Sequence, residues 1–193
     1  MPNSLTVRPA FCIALCLSVF LVPIRWVLAW FLAAVIHELG HLIALRMYKI
    51  PVLRITCDLP GAQIETGYMQ PAAEFICALF GPLFGFICLF LSRYAPYLAI
   101  CSFIQSIYNL LPFQGLDGER ALRAGLSFLF LQDKADKLLK WIRYMTALLL
   151  LILGFRLWLI KDLGFAAFEL IIFPLLKVLI VKIPCKQPKQ IVQ

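Results

Sequence analysis

Charge is scarce in this chain of 193 residues, because Asp, Glu, Lys and Arg together make up only 15% of it. Soluble globular domains contain about a quarter charged and about half apolar residues. In this sequence, 63% of the residues are hydrophobic. The composition therefore excludes a soluble globule and indicates an integral membrane protein with a single domain.

Acidic residues are scarcer than basic ones, 10 against 18, which leaves a formal net charge of +8. Such a surplus can indicate nucleic-acid binding, but the chain has no soluble module in which basic and aromatic residues are interspersed. We therefore expect no nucleic-acid partner. The surplus is better explained by lipid headgroups and by loops on the cytoplasmic side of a bilayer.

Paired cysteines are absent. The seven cysteines are scattered along the chain, and none forms a Cys-x-x-Cys pair, which argues against a disulfide framework. Most of them lie in apolar runs, where cysteine behaves as a small hydrophobic residue. We expect free thiols without a chemical role.

Six apolar runs in the sequence are suited to helices that cross a bilayer. We therefore predict an all-α polytopic membrane protein with about six transmembrane helices, forming one domain over residues 1–183. The polar residues 184–193 are expected to form a disordered cytoplasmic tail. The predicted spans are Pro9–Ile24, Trp26–Leu45, Pro71–Leu91, Pro96–Leu111, Tyr144–Ile160 and Leu163–Val181.

The basic residues are distributed unevenly between the predicted loops. Six spans place both termini on the same side of the bilayer, and most Lys and Arg residues lie in loops on that side. Cytoplasmic loops carry an excess of Lys and Arg, so both termini are predicted to be cytoplasmic. The second helix then runs from outside to inside, and residues 37–41 lie roughly one to two turns from the cytoplasmic interface.

Two connections between the predicted spans have structure of their own. β-Branched residues stand on both sides of Pro60-Gly61, which predicts a short membrane-associated β-hairpin between helices 2 and 3. Its free strand edge suggests that Ile55 and Ile64 bind an unwound substrate strand. A structural loop that closes the helix bundle would explain these residues equally well. Residues 119–143 mix charged and apolar side chains, which predicts an interfacial amphipathic helix.

Only two histidines occur in the chain, and both lie in the second predicted helix. His37 and His41 are four residues apart and flank Glu38, so one helical face carries both imidazoles. Two imidazoles at this spacing can bind one zinc ion, and the neighbouring glutamate can polarise a water molecule. Polar groups are costly in hydrocarbon, which favours a functional site. The structural alternative is a pair of imidazoles that only pack between helices.

A catalytic zinc site needs a third protein ligand, which must be a carboxylate or a thiolate because no further histidine is present. Asp117 follows Pro112 and Gly115, which are expected to break the fourth helix near its cytoplasmic end. Irregular backbone at membrane depth is tolerated where it lines a wet cavity, and a hydrolytic site requires such a cavity. Asp117 is therefore the candidate third ligand. The alternative is a turn aspartate that precedes Gly118.

Two motifs carry the candidate ligands: His37-Glu38-Leu39-Gly40-His41, and Asn109-Leu110-Leu111-Pro112 followed by Leu116-Asp117-Gly118. Between them lie Pro60-Gly61, Pro71-Ala72-Ala73-Glu74 and Gly81-Pro82-Leu83. In this order, over residues 26–123, the segments resemble the site-2 proteases, a family of intramembrane zinc metalloproteases. Both motifs in one membrane protein make the resemblance specific.

The resemblance implies a role for each candidate residue. His37, His41 and Asp117 would hold one zinc ion. Glu38 would act as general base and then general acid in the hydrolysis of a peptide bond in or near a substrate's transmembrane segment. Asn109 would orient the substrate backbone or donate a hydrogen bond to the oxyanion, and it would equally suit a structural role in the broken helix.

The six-span layout without an N-terminal extension is similar to the compact, sporulation-type bacterial branch of the family. That likeness implies a multi-pass protein of a bacterial plasma membrane. It also implies substrates such as pro-sigma factors, anti-sigma factors or remnant signal peptides. The sequence departs from the family pattern at Gly85, at Gln114-Gly115 and at Glu119, where the resemblance implies a second glycine after Gly118. These departures leave the predicted zinc ligands unchanged.

Two other functions are compatible with the motifs. A non-catalytic relative would bind membrane segments without cleaving them, but it would have little reason to keep Glu38. A metal transporter would use the same ligands along a permeation path, yet the sequence shows neither internal repeats nor a series of polar residues in its spans. We therefore predict a zinc metalloendopeptidase of regulated intramembrane proteolysis, with a membrane-protein substrate and the lipid bilayer as its partners.

Overall fold

The computed structural model of the protein describes residues 5–58 and 61–159, most of which are helical. The prediction of a mostly helical chain with a short β-structure between the second and third helices is confirmed. A 3-10 helix, Cys88–Leu91, extends the third helix. The other elements in chain order are β1 (Leu5–Val7), α1 (Pro9–Leu21), α2 (Ile24–Met47), β2 (Val52–Asp58), β3 (Gly61–Thr66), α3 (Pro71–Ile87), α4 (Pro96–Asn109), α5 (Asp117–Leu129) and α6 (Gln132–Trp158).

Within residues 5–58 and 61–159, three helical segments are long and apolar enough to cross a membrane, namely Ile24–Met47, Pro71–Leu91 and Asp133–Trp158. The protein is thus a multi-pass membrane protein. The helices α1 and α4 match two further predicted spans but contain only 13 and 14 residues. At this length each is about 20 Å long, shorter than the ~30 Å hydrocarbon layer. The last predicted span, Leu163–Val181, lies outside the described residues.

The prediction of one interfacial helix over residues 119–143 is wrong, because this segment contains parts of two helices. The amphipathic α5 ends at Leu129, Phe130 is extended, and α6 begins at Gln132. The apolar residues 128–131 are exposed and offer no polar face on which an amphipathic helix could continue. Asp133 then lies in the first turn of α6, where a negative charge suits the helix dipole.

The predicted hairpin is present as the antiparallel strands β2 and β3, in which Ile55 lies opposite Ile64. Pro60, at the expected turn, lies outside the described residues. The sequence pattern does not predict the third strand, β1, which pairs in parallel with β2 and places Leu5 beside Ile55. The strand order is β1-β2-β3, so Ile55 lies in the central strand and Ile64 in an outer strand.

The helix α2 is central and packs against both α3 and α4. Gly40 lies so close to the carbonyl group of Phe80 in α3 that a Cβ atom at position 40 would overlap it. Farther along α2, Ala44 is fully buried in a cluster with Cys77 of α3, and Ile64 of β3 packs against this cluster. Small residues thus let α2 and α3 approach closely, as is common between membrane helices.

Candidate metal centre

The two histidines lie one turn apart on the buried face of α2. The Nε2 atoms of His37 and His41 are 3.2 Å apart, and the imidazole rings meet edge to face at 78°. Only 5% of His37 and 7% of His41 is exposed. The helical spacing therefore produces two buried imidazoles whose nitrogens converge.

Asp117, the first residue of α5, joins the two histidines. Its Oδ2 atom lies 2.9 Å from His37 Nε2 and 3.1 Å from His41 Nε2. The predicted break after the fourth helix is present: α4 ends at Asn109, and Gly115 has a φ of 85°, a left-handed conformation that favours glycine. The loop between α4 and α5 thus brings a residue distant in sequence to the two imidazoles.

Two glycines allow this arrangement by leaving no side chain. A Cβ atom at Gly81 of α3 would lie against the ring of His41 and 2.8 Å from His37 Nε2. A Cβ atom at Gly118 would overlap the carbonyl group of Leu110, so α5 begins directly against the end of α4. The sequence motifs contain both glycines, but only the structure shows that one faces the imidazoles and the other seats Asp117.

The three converging atoms fit a metal ion. The Cys77 carbonyl oxygen accepts a hydrogen bond of 2.8 Å from His41 Nδ1, so the proton of the neutral ring lies on Nδ1. His41 Nε2 then directs a lone pair at the carboxylate oxygen of Asp117, and a cation between them removes the repulsion. The three separations of 2.9–3.2 Å are close to the ~3.3 Å expected for ligands ~2.0–2.1 Å from a tetrahedral zinc ion.

The charge of Asp117 also suits a metal ligand. The second carboxylate oxygen, Oδ1, lies 3.9 Å from Arg120, whose guanidinium group is also 3.9 Å from Glu74 of α3. The guanidinium group of Arg120 therefore favours the ionised form of Asp117 that metal binding requires, and it also forms an ion pair with Glu74.

Glu38 is not part of the ligand group and lines a groove beside α2. The groove has a volume of about 690 Å³, and apolar side chains of α1 and α2 form most of its wall. Cys57 and Ala62 of the sheet border it. Among the described residues that line the groove, Glu38 is the single charged one. A mostly apolar groove therefore contains one carboxylate, and the residue that carries it neighbours a candidate metal ligand in sequence.

The predicted substrate-binding residues lie at different places. Asn109 is the last residue of α4 and is half-buried. Within residues 5–58 and 61–159, no hydrogen bond joins its side chain to the three candidate ligands. Ile64 lies on the outer strand β3, two residues after Ala62, so the two side chains are on the same face of the sheet. Ala62 lines the groove. Ile55 lies in the central strand, so its backbone is not at a free edge.

A further carboxylate beside the centre, Glu119, was not predicted as a site residue. Its exposed fraction is only 5%, and its Oε1 atom accepts a hydrogen bond of 2.6 Å from Arg143 of α6. In the sequence it stands out only as a departure from the glycine expected there, because the contact depends on how α6 folds back on α5. No local pattern reveals it.

Comparison with solved structures finds a protein described as a site-2 protease from Methanocaldococcus jannaschii. The two chains are 22% identical, with a TM-score of 0.59, and the alignment covers 90% of this chain and 89% of that chain. This likeness shows that the two chains have the same overall fold. No family model and no curated protein sequence matches the chain.

Proposed function

We propose that this protein is an intramembrane zinc metalloprotease that hydrolyses a peptide bond in or near a transmembrane segment of a membrane-bound substrate. The observation that carries the proposal is the convergence of His37, His41 and Asp117, whose ligand atoms lie within 3.2 Å of one another. Their position at a membrane-spanning helix, in a chain with the fold of a site-2 protease, favours intramembrane hydrolysis over other uses of a metal.

His37, His41 and Asp117 would hold a single zinc ion through two nitrogens and one oxygen, a ligand set typical of catalytic zinc sites. When bound, zinc supplies Lewis-acid chemistry that polarises a peptide carbonyl and makes water more acidic. The hydrogen bond from His41 to the Cys77 carbonyl fixes the orientation and the tautomer of that ring. The protein thereby presents its ligands before any ion arrives.

Glu38 would act as the acid–base residue of the reaction. Its side chain lines the groove rather than joining the ligand group, so its carboxylate is available to a water molecule and a substrate. A carboxylate there can take a proton from the attacking water and deliver it to the leaving amine. A protein that only bound membrane segments would not need this group.

The groove supports a substrate of apolar, transmembrane character. Its wall contains Trp26, Trp30 and Val35 of α2 and Leu15 of α1, which suit a hydrophobic segment. A helical substrate hides its scissile bond, whereas an extended one exposes it, so we propose that an unwound strand pairs with the outer edge of β3. Because Ile55 lies in the central strand, we propose that it supports β3 and does not itself contact the substrate strand.

The backbone hydrogen bond of Arg8 indicates which way the backbone groups of β2 and β3 point. Its N–H group donates to the Cys57 carbonyl, so Cys57 and, two residues earlier, Ile55 direct their backbone groups toward β1. Ile64, opposite Ile55, is therefore in a non-hydrogen-bonded pair, and its N–H and C=O groups point to the outer edge. Ile64 is thus one of the residues of β3 whose backbone groups would bind an added strand.

The finer aspects of the function follow the same proposal. We propose residues 1–183 as one membrane protease domain, with a polar tail over residues 184–193, in a bacterial plasma membrane with both termini in the cytoplasm. Pro-sigma factors, anti-sigma factors and remnant signal peptides are the proposed substrate classes. Asn109 is proposed to orient the substrate backbone, for which its half-buried position at the end of α4 leaves room.

The test is zinc analysis of the purified full chain together with cleavage of a candidate membrane substrate by the wild type and by Glu38→Gln. We expect one zinc ion in both proteins and a cleavage rate about 10²- to 10⁴-fold lower in the variant, because general acid–base catalysis contributes that much. Equal cleavage by both proteins at full zinc occupancy would refute the mechanism. Zinc uptake into proteoliposomes without cleavage would instead indicate a transporter.

A further inference from the structure

We infer that Glu119 is a positioning residue of the metal centre: through Gly115 and Arg143 it holds the start of α5 so that Asp117 faces the two histidines. The inference rests on the proposed zinc site. It concerns a position at which the chain departs from the glycine expected by resemblance, so the arrangement belongs to this sequence.

The Glu119 carboxylate contacts three parts of the chain. Its Oε1 atom accepts hydrogen bonds from Arg143 at 2.6 Å and from Arg123 at 3.0 Å. Its Oε2 atom accepts a hydrogen bond of 3.2 Å from the backbone N–H group of Gly115. One side chain therefore links the loop that precedes Asp117 to α5 and to α6.

Glu119 cannot itself be a ligand in this arrangement. Successive residues of an α-helix are rotated by about 100°, so residues 117 and 119 point to nearly opposite sides of α5. Asp117 faces α2, whereas Glu119 faces α6. The Asp117 carboxylate thus faces the proposed ion, whereas the Glu119 carboxylate holds the turn that precedes Asp117.

The anchoring contact is buried and charged on both sides. Glu119 is 5% exposed and Arg143 is 8% exposed, so each needs the other to compensate for its lost hydration. Gly115, held by the same carboxylate, adopts the left-handed conformation at which the loop turns toward Asp117. Removal of the Glu119 charge therefore releases the loop and α6 together, and the Asp117 side chain loses its fixed direction.

The measurement is the zinc dissociation constant of the purified full chain, determined by competition with a chromogenic chelator. Residues that orient metal ligands typically contribute about 10- to 100-fold to metal affinity. We expect Glu119→Gln and Arg143→Met to weaken zinc binding within this range. Arg143→Lys should restore part of the loss, since it keeps a cation near Glu119. Asp136→Asn, which removes an exposed carboxylate of α6, is the matched control and should bind zinc as the wild type does.

A spectroscopic readout separates positioning from general support of the fold. The visible spectrum of the Co²⁺-substituted protein reports ligand geometry, so it should change in Glu119→Gln and Arg143→Met but not in Asp136→Asn. If Glu119→Gln does not fold, the comparison of Arg143→Met with Arg143→Lys decides the inference. The double variant Glu119→Gln/Arg143→Met should lose no more affinity than the worse single variant, because both break one contact.

The possible outcomes distinguish this inference from the proposed function. A wild type that binds no zinc overturns the proposed function. A wild type that binds zinc, with affinity and Co²⁺ spectrum unchanged in both Glu119→Gln and Arg143→Met, overturns the positioning role and leaves the proposed function intact. Weaker binding in both variants, partial recovery in Arg143→Lys and an unaffected Asp136→Asn support the positioning role.

Discussion

The two faces of α2 differ in how closely they are packed. The face with His37, Gly40, His41 and Ala44 is buried against α3, and backbone and imidazole atoms there approach so closely that glycines are required. On the other face, Val35 and neighbouring apolar residues line a groove and remain partly exposed, 39% in the case of Val35. One helix therefore separates a dense region from an open one.

This difference corresponds to two physical requirements of the proposed reaction. Metal ligands must be held within a fraction of an ångström, which close packing and fixed hydrogen bonds provide. A substrate segment needs room, which a packed interface would not leave. Glu38 follows His37 by one position and so lies about 100° around the helix from it. Glu38 therefore lies between the closely packed face and the open face of α2, where its carboxylate can contact both water and substrate.

The largest effect is expected where the dense face is broken, at Gly81. We expect Gly81→Ala to weaken zinc binding by more than about 100-fold, beyond the usual effect of losing a supporting residue, because the methyl group would occupy the position of the imidazoles. Overpacking should also lower the free energy of unfolding by about 1–3 kcal/mol. Chelator competition measures the first effect and thermal unfolding in detergent the second.

Gly125→Ala is the matched control for this substitution. A Cβ atom at Gly125 of α5 would make an ordinary contact of 3.4 Å with the ring of Phe75. Alanine there should leave zinc affinity unchanged and stabilise the helix slightly. Wild-type zinc affinity in Gly81→Ala would mean that the dense face can yield, and the contrast between the two faces would fail.

A smaller effect is expected where the open face is filled. Val35→Trp places a larger side chain in the groove, and we expect kcat/KM for a membrane substrate to fall about tenfold or more, equivalent to at least ~1.4 kcal/mol of lost transition-state binding. Zinc content should stay at the wild-type level because the ligands lie on the other face. Leu28→Trp, an exposed position of α2 that does not line the groove, is the control. Equal losses in both variants would contradict a role for the groove.

The sequence alone predicts the residues of the proposed metal centre, but it does not predict where the shorter helices end. His37 and His41 are predictable because a four-residue spacing on a helix is a local property, and Asp117 because Pro112 and Gly115 interrupt an apolar run. The predicted spans extend past the ends of α1 and α4, since apolar residues continue beyond the last helical residue of each. An apolar run in the sequence therefore does not end at the same residue as the helix that it forms.

Two further contacts could not be predicted because they join distant parts of the chain. The strand β1 has three residues, too few to show an alternating pattern, and it forms only by pairing with β2. The contact of Glu119 with Arg143 spans 24 positions and depends on the break that separates α5 from α6. Local patterns predicted the chemical groups of the centre, whereas tertiary packing determines what holds them.

The smallest effect is expected at the outer edge of β3, and it tests whether the open face includes the sheet. Ile64→Pro removes an N–H group that points away from β2, so proline is tolerated there while an added substrate strand loses a hydrogen bond. Loss of one such bond, about 0.5–1.5 kcal/mol, predicts a decrease in kcat/KM of about two- to tenfold with zinc content intact. Because Ile64 also packs on the Ala44 cluster, Ile64→Ala is the control that shortens the side chain but keeps the N–H group. If the alanine variant is as impaired as the proline variant, the side chain and not the strand edge is responsible, and the substrate is then accommodated by the groove alone.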